Sequence, residues 1–235
     1  MSNAVATGGP AVLARAEEIH REHSQSRYAK IDRMFAALLA LQYVAGIAAA
    51  FGVSPYAWAG KDRVLHMHVW VAIVAGAGIV ILPILLALFR PGTALTRHVI
   101  AASQMLSSAL LIHLTGGRIE THFHVFGSLA FLAFYLDWKV IITATIVIAS
   151  DHFARGIFWP ESVYGIANPE WWRFLEHAGW VAFEDAFLIW SCLFGQRELH
   201  AASLRQAEIE HLSEQEQLKS AALMMALNEM QGVPA

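Results

Sequence analysis

Seven histidines of this chain, His66, His68, His113, His122, His124, His152 and His177, fall at or near the ends of apolar runs, and carboxylates stand beside several of them. Neutral imidazole is the commonest metal ligand among side chains. Imidazole with carboxylate, without thiolate, suits iron, zinc, copper, nickel or manganese. Glu120 precedes His124 by four residues, so both lie on one helix face, and His122 points elsewhere on that helix. Asp151 adjoins His152. Glu184 follows His177 by seven residues, on the same stripe two turns on, and Asp185 adjoins Glu184. Ionisable groups inside an apolar run are costly unless paired, hydrated or metal-bound, so Glu184 is expected to face a bundle interior. The single cysteine, Cys192, excludes a disulfide framework and a multi-thiolate zinc site. The Glu-x-x-His pair of four-helix di-iron sites does not occur; Glu120-Thr121-His122 is a nearby variant.

The elements that must position these groups are helices in a bilayer. Of 235 residues, 57% are hydrophobic and only 15% charged, against about 25% charged in an average soluble domain. That balance argues against a disordered chain and an ordinary soluble enzyme. A net charge of −3 gives no footprint for nucleic acid. Six runs are candidates to cross a hydrocarbon layer, which takes about 20 helical residues: Met34–Val53, His68–Phe89, His98–Leu114, Thr121–Tyr135, Val140–Phe158 and Phe174–Gly195. The third and fourth are short. With the N-terminus in the cytoplasm, the inner segments carry eleven Lys and Arg and the outer segments five, as the positive-inside rule asks.

On that topology the seven histidines come from five helices and gather in the outer leaflet, whereas His20, His23, His98, His200 and His211 lie on the cytoplasmic side. His66 is the weakest of the seven, being nearest the charged Lys61–Arg63 turn. The expected fold is all-α: a polytopic six-helix transmembrane bundle over 34–195, after a cytoplasmic segment 1–33 and before a cytoplasmic signalling helix over 196–235. In that last segment Ala202, Ile209, Leu223 and Met230 recur at seven-residue spacing, a two-stranded coiled-coil pattern that Glu216 and Lys219 interrupt. It implies a homodimer.

Five blocks occur in order: His113 near the end of the third run, Ile119-Glu120-Thr121-His122-Phe123, Tyr135-Leu136-Asp137-Trp138, His152 closing the fifth run, and His177 with Glu184 on the last. Together they resemble a six-helix sensory input domain that stands ahead of bacterial histidine kinases, hybrid kinases and methyl-accepting chemotaxis proteins. The resemblance covers roughly 66–195. It implies a multi-pass protein of the bacterial inner membrane, both termini cytoplasmic, working with a cytoplasmic output domain of kinase or chemotaxis type. Many members have two histidines at the close of the fifth helix; here the first of them is Asp151.

The residues and the resemblance give one expectation: a membrane sensory input module with a metal centre near the periplasmic face. Its ligands are drawn from His113, Glu120, His122, His152, His177 and Glu184, with His68, His124 and Asp151 as second choices, and two ions could be bridged by Glu120 or Glu184. Iron is placed ahead of zinc and copper. Three rivals use overlapping ingredients: a sensor or electron-transfer protein binding haem b, a membrane di-metal oxidase or hydroxylase, and a metal permease. The permease is disfavoured because only His98 and Asp137 lie near the inner ends. No kinase, cyclase or phosphate-loop motif occurs, so output catalysis is not expected within these residues.

Overall fold

The computed structural model describes residues 9–230 and 232. The ends of the expected cytoplasmic segments, residues 1–8, 231 and 233–235, lie outside the described residues. The fold is all-α, with 84% of the described residues helical. The order is α1 (Pro10–Val53), a hairpin of β1 (Tyr56–Ala59) and β2 (Asp62–Leu65), α2 (Met67–Phe89), α3 (Ala94–Leu114), α4 (Ile119–Leu132), a 3-10 turn (Ala133–Tyr135), α5 (Trp138–Phe158), α6 (Glu161–Tyr164) and α7 (Arg173–Met230). The chain divides into two compact units: residues 25–194, and the chain ends before 25 and after 194.

In the larger unit α3 is the central helix, packing on α2, α4 and α5. Phe35, Ile100, Met105, Leu129, Ile141 and Tyr135 form its core. Ser103, Gln104 and Ser108 of α3 are also buried. Gln104 Nε2 donates to Ser128 Oγ on α4 at 2.8 Å, and the Ser108 hydroxyl donates to Gln104 O at 3.0 Å. These polar residues lower the mean hydropathy of α3, and Gln104 ties it to α4.

Among the described residues four helices are long and apolar enough to cross a membrane: α1, α2, α5 and α7. The six runs read from the sequence do form helix, but the third and fourth fall short of that standard for different reasons. In α3 it is the inward polar face. In α4 it is length: 14 residues rise about 21 Å against a hydrocarbon thickness of about 30 Å. The 3-10 turn extends α4 only to Tyr135, and Leu136 then takes a left-handed conformation at φ 53° that ends the run.

At the turn into α5, Asp137 accepts the Lys139 backbone N–H at 3.2 Å as an N-cap and pairs with Arg97 at 2.9 Å. Nearby, buried Asp32 accepts from the Tyr135 hydroxyl and the Gly92 N–H, both at 2.6 Å, tying α1 to two turns. At the other end of the bundle, Gly117 lies against α6. Its φ is +72°, and a Cβ there would overlap Gly165 N and Tyr164 C. Only glycine meets both demands, and the approach seats α6 beside the end of α3.

In the smaller unit, Val12, Ala16 and Ile19 of α1 pack on Leu204 and Ala207 of α7. Arg15 pairs with Glu210 at 2.9 Å. The stripe of α7 in use there includes Ser203 and Ala207, both 1% exposed. It is not the seven-residue seam, of which Ile209, Leu223 and Met230 are more than 60% exposed. Residues 10–24, polar to the eye, form a helix whose Val12–Ala16–Ile19 stripe supplies α7 with a partner from its own chain.

Candidate functional site

The seven histidines do not form one pocket; they divide into two groups of three and one apart. The first trio is His122 of α4, His152 of α5 and His177 of α7. Ring centroids are 5.2 Å apart for His122–His177, 5.5 Å for His122–His152 and 6.4 Å for His152–His177. In each ring Nδ1 is already engaged. That of His122 donates to Arg118 O at 2.9 Å, and that of His177 to Arg173 O at 2.9 Å. His152 Nδ1 is 3.2 Å from Asp151 Oδ2. An acceptor on Nδ1 places the proton there and leaves the Nε2 lone pair free. The His122 Nε2 is buried with no partner. His122 and His152 are buried and His177 half-buried.

The second group is His66, His68 and His113, packed ring against ring at 4.4 Å and 4.9 Å, with Trp159 4.8 Å from His113. Its proton placement is reversed. His66 Nδ1 accepts the His68 backbone N–H at 3.1 Å, which puts a neutral ring's proton on Nε2. His113 Nδ1 is 2.9 Å from Ser162 Oγ, and Ser162 Oγ also accepts from Arg155 Nη1 at 2.7 Å, so its own hydrogen is free for His113. His68 Nδ1 is buried and unpartnered.

Arg155 connects the groups. Its guanidinium holds Asp151 through Nε at 2.9 Å and Nη2 at 2.5 Å, while Asp151 orients His152. Its other contacts are Ser162 and, through Nη2, Ala109 O of α3 at 3.2 Å. Asp151, a second-choice ligand by sequence, is thereby committed to an ion pair. His124 also stands apart. Its Nδ1 is 2.8 Å from Ser108 Oγ and its Nε2 is 3.2 Å from Gln42 Nε2, so both nitrogens serve contacts among α1, α3 and α4.

Neither expected bridging carboxylate reaches the trio. Glu120 is exposed and pairs with Arg118 at 3.5 Å. The N–H of its own residue and that guanidinium hold its carboxyl below the usual range. Glu184 is half-buried with Oε2 unpartnered, yet it is Asp185, one position on, that joins the trio in lining a groove between α4, α5 and α7. Among the described residues no three His, Cys, Asp or Glu side chains have their donor atoms gathered as an ion requires. The rings of the trio are neighbours whose Nε2 atoms do not converge.

Arg155, Ser162 and Tyr164 were missed from sequence. Tyr164 packs edge-on against His177 at 5.5 Å, so α6 covers both groups. Two signals were legible. Asp151 and Arg155 stand four apart on one helix. Arg118-Ile-Glu-Thr-His122 and Arg173-Phe-Leu-Glu-His177 repeat an Arg-x-x-x-His spacing at the start of two helices, where the carbonyl four residues back faces the ring.

No protein-family model matches the chain. No solved structure matches it. Among curated proteins the chain is similar to Transducer protein Htr8 of Halobacterium salinarum, at 29% identity over 124 residues, which is 51% of this chain and 19% of that protein. The chain therefore matches about a fifth of the length of this relative.

Proposed function

We propose that the chain is a membrane-embedded sensory input module that reads its stimulus at the His122–His152–His177 trio and passes the result to a cytoplasmic output domain. Residues 34–195 form the multi-pass sensor in the inner membrane; 1–33 and 196–235 are cytoplasmic. Two kinds of support meet here. A relative in sequence is a transducer protein, and the trio sits at the start of α4 and α7 and the close of α5, the end that the Lys and Arg distribution assigns to the periplasm.

The finer part of the proposal is a metal ion held by Nε2 of His122, His152 and His177. One observation carries it: all three rings spend Nδ1 on a fixed acceptor, the arrangement that presents imidazole as a ligand. Two imidazoles on one ion about 2.1 Å from each nitrogen place their ring centres roughly 5–6 Å apart, as observed for His122–His177 at 5.2 Å and His122–His152 at 5.5 Å, while His152–His177 is wider at 6.4 Å. Bound there, a metal would supply redox chemistry or a coordination site for a small ligand. Carboxylate–histidine sets accept iron, zinc and copper, and iron is placed first.

A second reading is haem b. It draws on the His152–His177 spacing of 6.4 Å, close to that of two imidazoles on opposite faces of one iron. Elemental analysis with an absorption spectrum of the detergent-purified chain separates the two. Stoichiometric metal without an intense Soret band supports the trio as an ion site, a Soret band supports haem, and a protein purified with neither and binding neither overturns both.

A further inference from the structure

Of the four helices able to cross a membrane, α7 is the least covered by its own chain. In its apolar stretch 11% of the residues are buried, against 22–28% for α1, α2 and α5. What it leaves open is a ladder of rings. Trp180, Phe187 and Phe194 stand seven apart, with Phe183 and Trp190 at the complementary positions. All five are 53–65% exposed. The rings lie against one another down the helix, Trp180–Phe183 at 6.2 Å, Phe183–Phe187 at 5.2 Å and Trp190–Phe194 at 5.9 Å.

Lipid does not ask for this pattern, and α2 shows the difference. The exposed face of α2 is aliphatic through its middle, with Val74, Ile81, Leu82 and Leu85, while Trp70 and Phe89 stand near its ends. Aromatic side chains in a bilayer gather at the interfaces in this way. On α7, Phe183 and Phe187 occupy the middle of the apolar run, and the seven-residue period is that of a seam along which one helix packs on another. Beside the ladder, on the adjoining face, stand Gly179, Ala182 and Ala186, all exposed. Helices associate in lipid through close packing, which small residues allow. A ridge next to a shallow flank is self-complementary: under a two-fold axis the ridge of each copy runs along the flank of the other. At roughly 200 Å² per ring, the ladder offers on the order of 600 Å² per copy. A pair would bury roughly 1,200 Å², where specific interfaces begin.

The tail of α7 calls for the same partner. Its seam residues Ile209, Leu212 and Leu223 are 61–67% exposed, and the two residues that interrupt the seam, Glu216 and Lys219, carry opposite charges. In a parallel pair each seam side chain enters a hole between residues of the facing helix. Glu216 of one copy then meets the partner's Lys219, and the interruption becomes a crossed pair of ion pairs. Copies inserted into one membrane in one orientation are parallel by necessity. We infer that the ring-bearing face of α7, from Trp180 to Phe194, is the surface on which a second copy of this chain packs within the bilayer. The inference rests on the proposed function for the placement of α7 in the membrane and does not depend on a metal at the trio.

The test uses the full chain in membranes. Cys192→Ala removes the only cysteine, and a single cysteine is then introduced by Phe183→Cys, Phe187→Cys or Trp190→Cys, with Val74→Cys and Ile81→Cys on α2 as lipid-facing controls. A disulfide needs Cβ atoms about 4 Å apart, so mild oxidation is expected to give roughly tenfold more covalent dimer at the α7 positions than at the α2 ones. A second measurement keeps Cys192. Phe183→Ala with Phe187→Ala is expected to shift fluorescently labelled chain from two copies per particle to one in single-molecule photobleaching, whereas Val74→Ala with Ile81→Ala leaves two. Should Cys192→Ala fail to insert, this comparison decides alone. Equal cross-linking on α2 and α7 overturns the inference, as does an unaltered chain that is monomeric in membranes, or a dimer that survives the paired Phe→Ala change and cross-links only through Ile209→Cys in the tail. Carbonate extraction of the same membranes keeps the two readings apart: a chain that washes out sinks the bilayer placement itself, and an inserted chain without the α7 contact sinks this inference alone.

Discussion

In His122, His152 and His177 the nitrogen that matters is set by the one that does not face the partner. Two Nδ1 atoms donate to carbonyls one helical turn back, and the third meets a carboxylate. If the trio holds an ion, His122→Ala and His177→Ala each strip most of the bound metal while membrane insertion is unchanged, read by elemental analysis of protein purified from membranes. Asp151→Asn keeps the shape but loses the charge that orients His152 and holds Arg155, so metal affinity falls on the order of tenfold or more. Residue types were legible in the sequence: every histidine named here was visible as a ligand candidate. Their grouping was not. Seven-residue spacing put Glu184 on the stripe of His177, but the groove centres on the face of Val181 and Asp185, and a helical wheel does not say which neighbour a face meets. Nor does it say that His124 is already occupied by Gln42 and Ser108.

At the scale of elements the short pieces carry much of the design. The four-residue α6 sends Ser162 to His113 and Tyr164 to His177, and it is seated by Gly117. Gly117→Ala adds a methyl where the Gly165 and Tyr164 backbones already stand, at a φ that disfavours a side chain. The expected loss is about 1–3 kcal/mol, read as a lower thermal midpoint in detergent. Arg155→Met leaves Asp151, 18% exposed at its side chain, without its main partner. It should cost a further amount of about 1–3 kcal/mol by the same measurement, more than an exposed ion pair would. Of this only the four-residue spacing of Asp151 and Arg155 was visible in the sequence; the contacts of Ser162 and Tyr164 were not, because they are made across helices. The long apolar runs were legible because hydrocarbon length is counted directly. Counting also marked the third and fourth runs as short; what it does not give is the reason, which is length in α4 and, in α3, polar residues that face other helices.

For the whole molecule, the sequence showed a polar tail after the last apolar run but not the partner of the tail. The cue was present in Val12, Ala16 and Ile19, spaced at four and three residues, ahead of any apolar run. Arg15 holds the Glu210 carboxyl below the usual range. A depressed carboxyl stabilises the fold above its unfolded value, near pH 4.3, and that contribution disappears as pH falls through the folded value. Both groups are exposed, so salt screens the pair. Hydrogen exchange over residues 10–24 is therefore expected to quicken on acidification and with added salt; rates indifferent to both would remove the pair from the account. The larger unit has a different sensitivity, and it follows from Arg155. One guanidinium grips Asp151 beside the first imidazole group, Ser162 beside the second, and a carbonyl of α3. Positive charge arriving near His152 would compete with Arg155 for Asp151, on a guanidinium that also holds Ser162 and Ala109 O. An electrical event on one side of the bundle would thus emerge as a mechanical pull on the other.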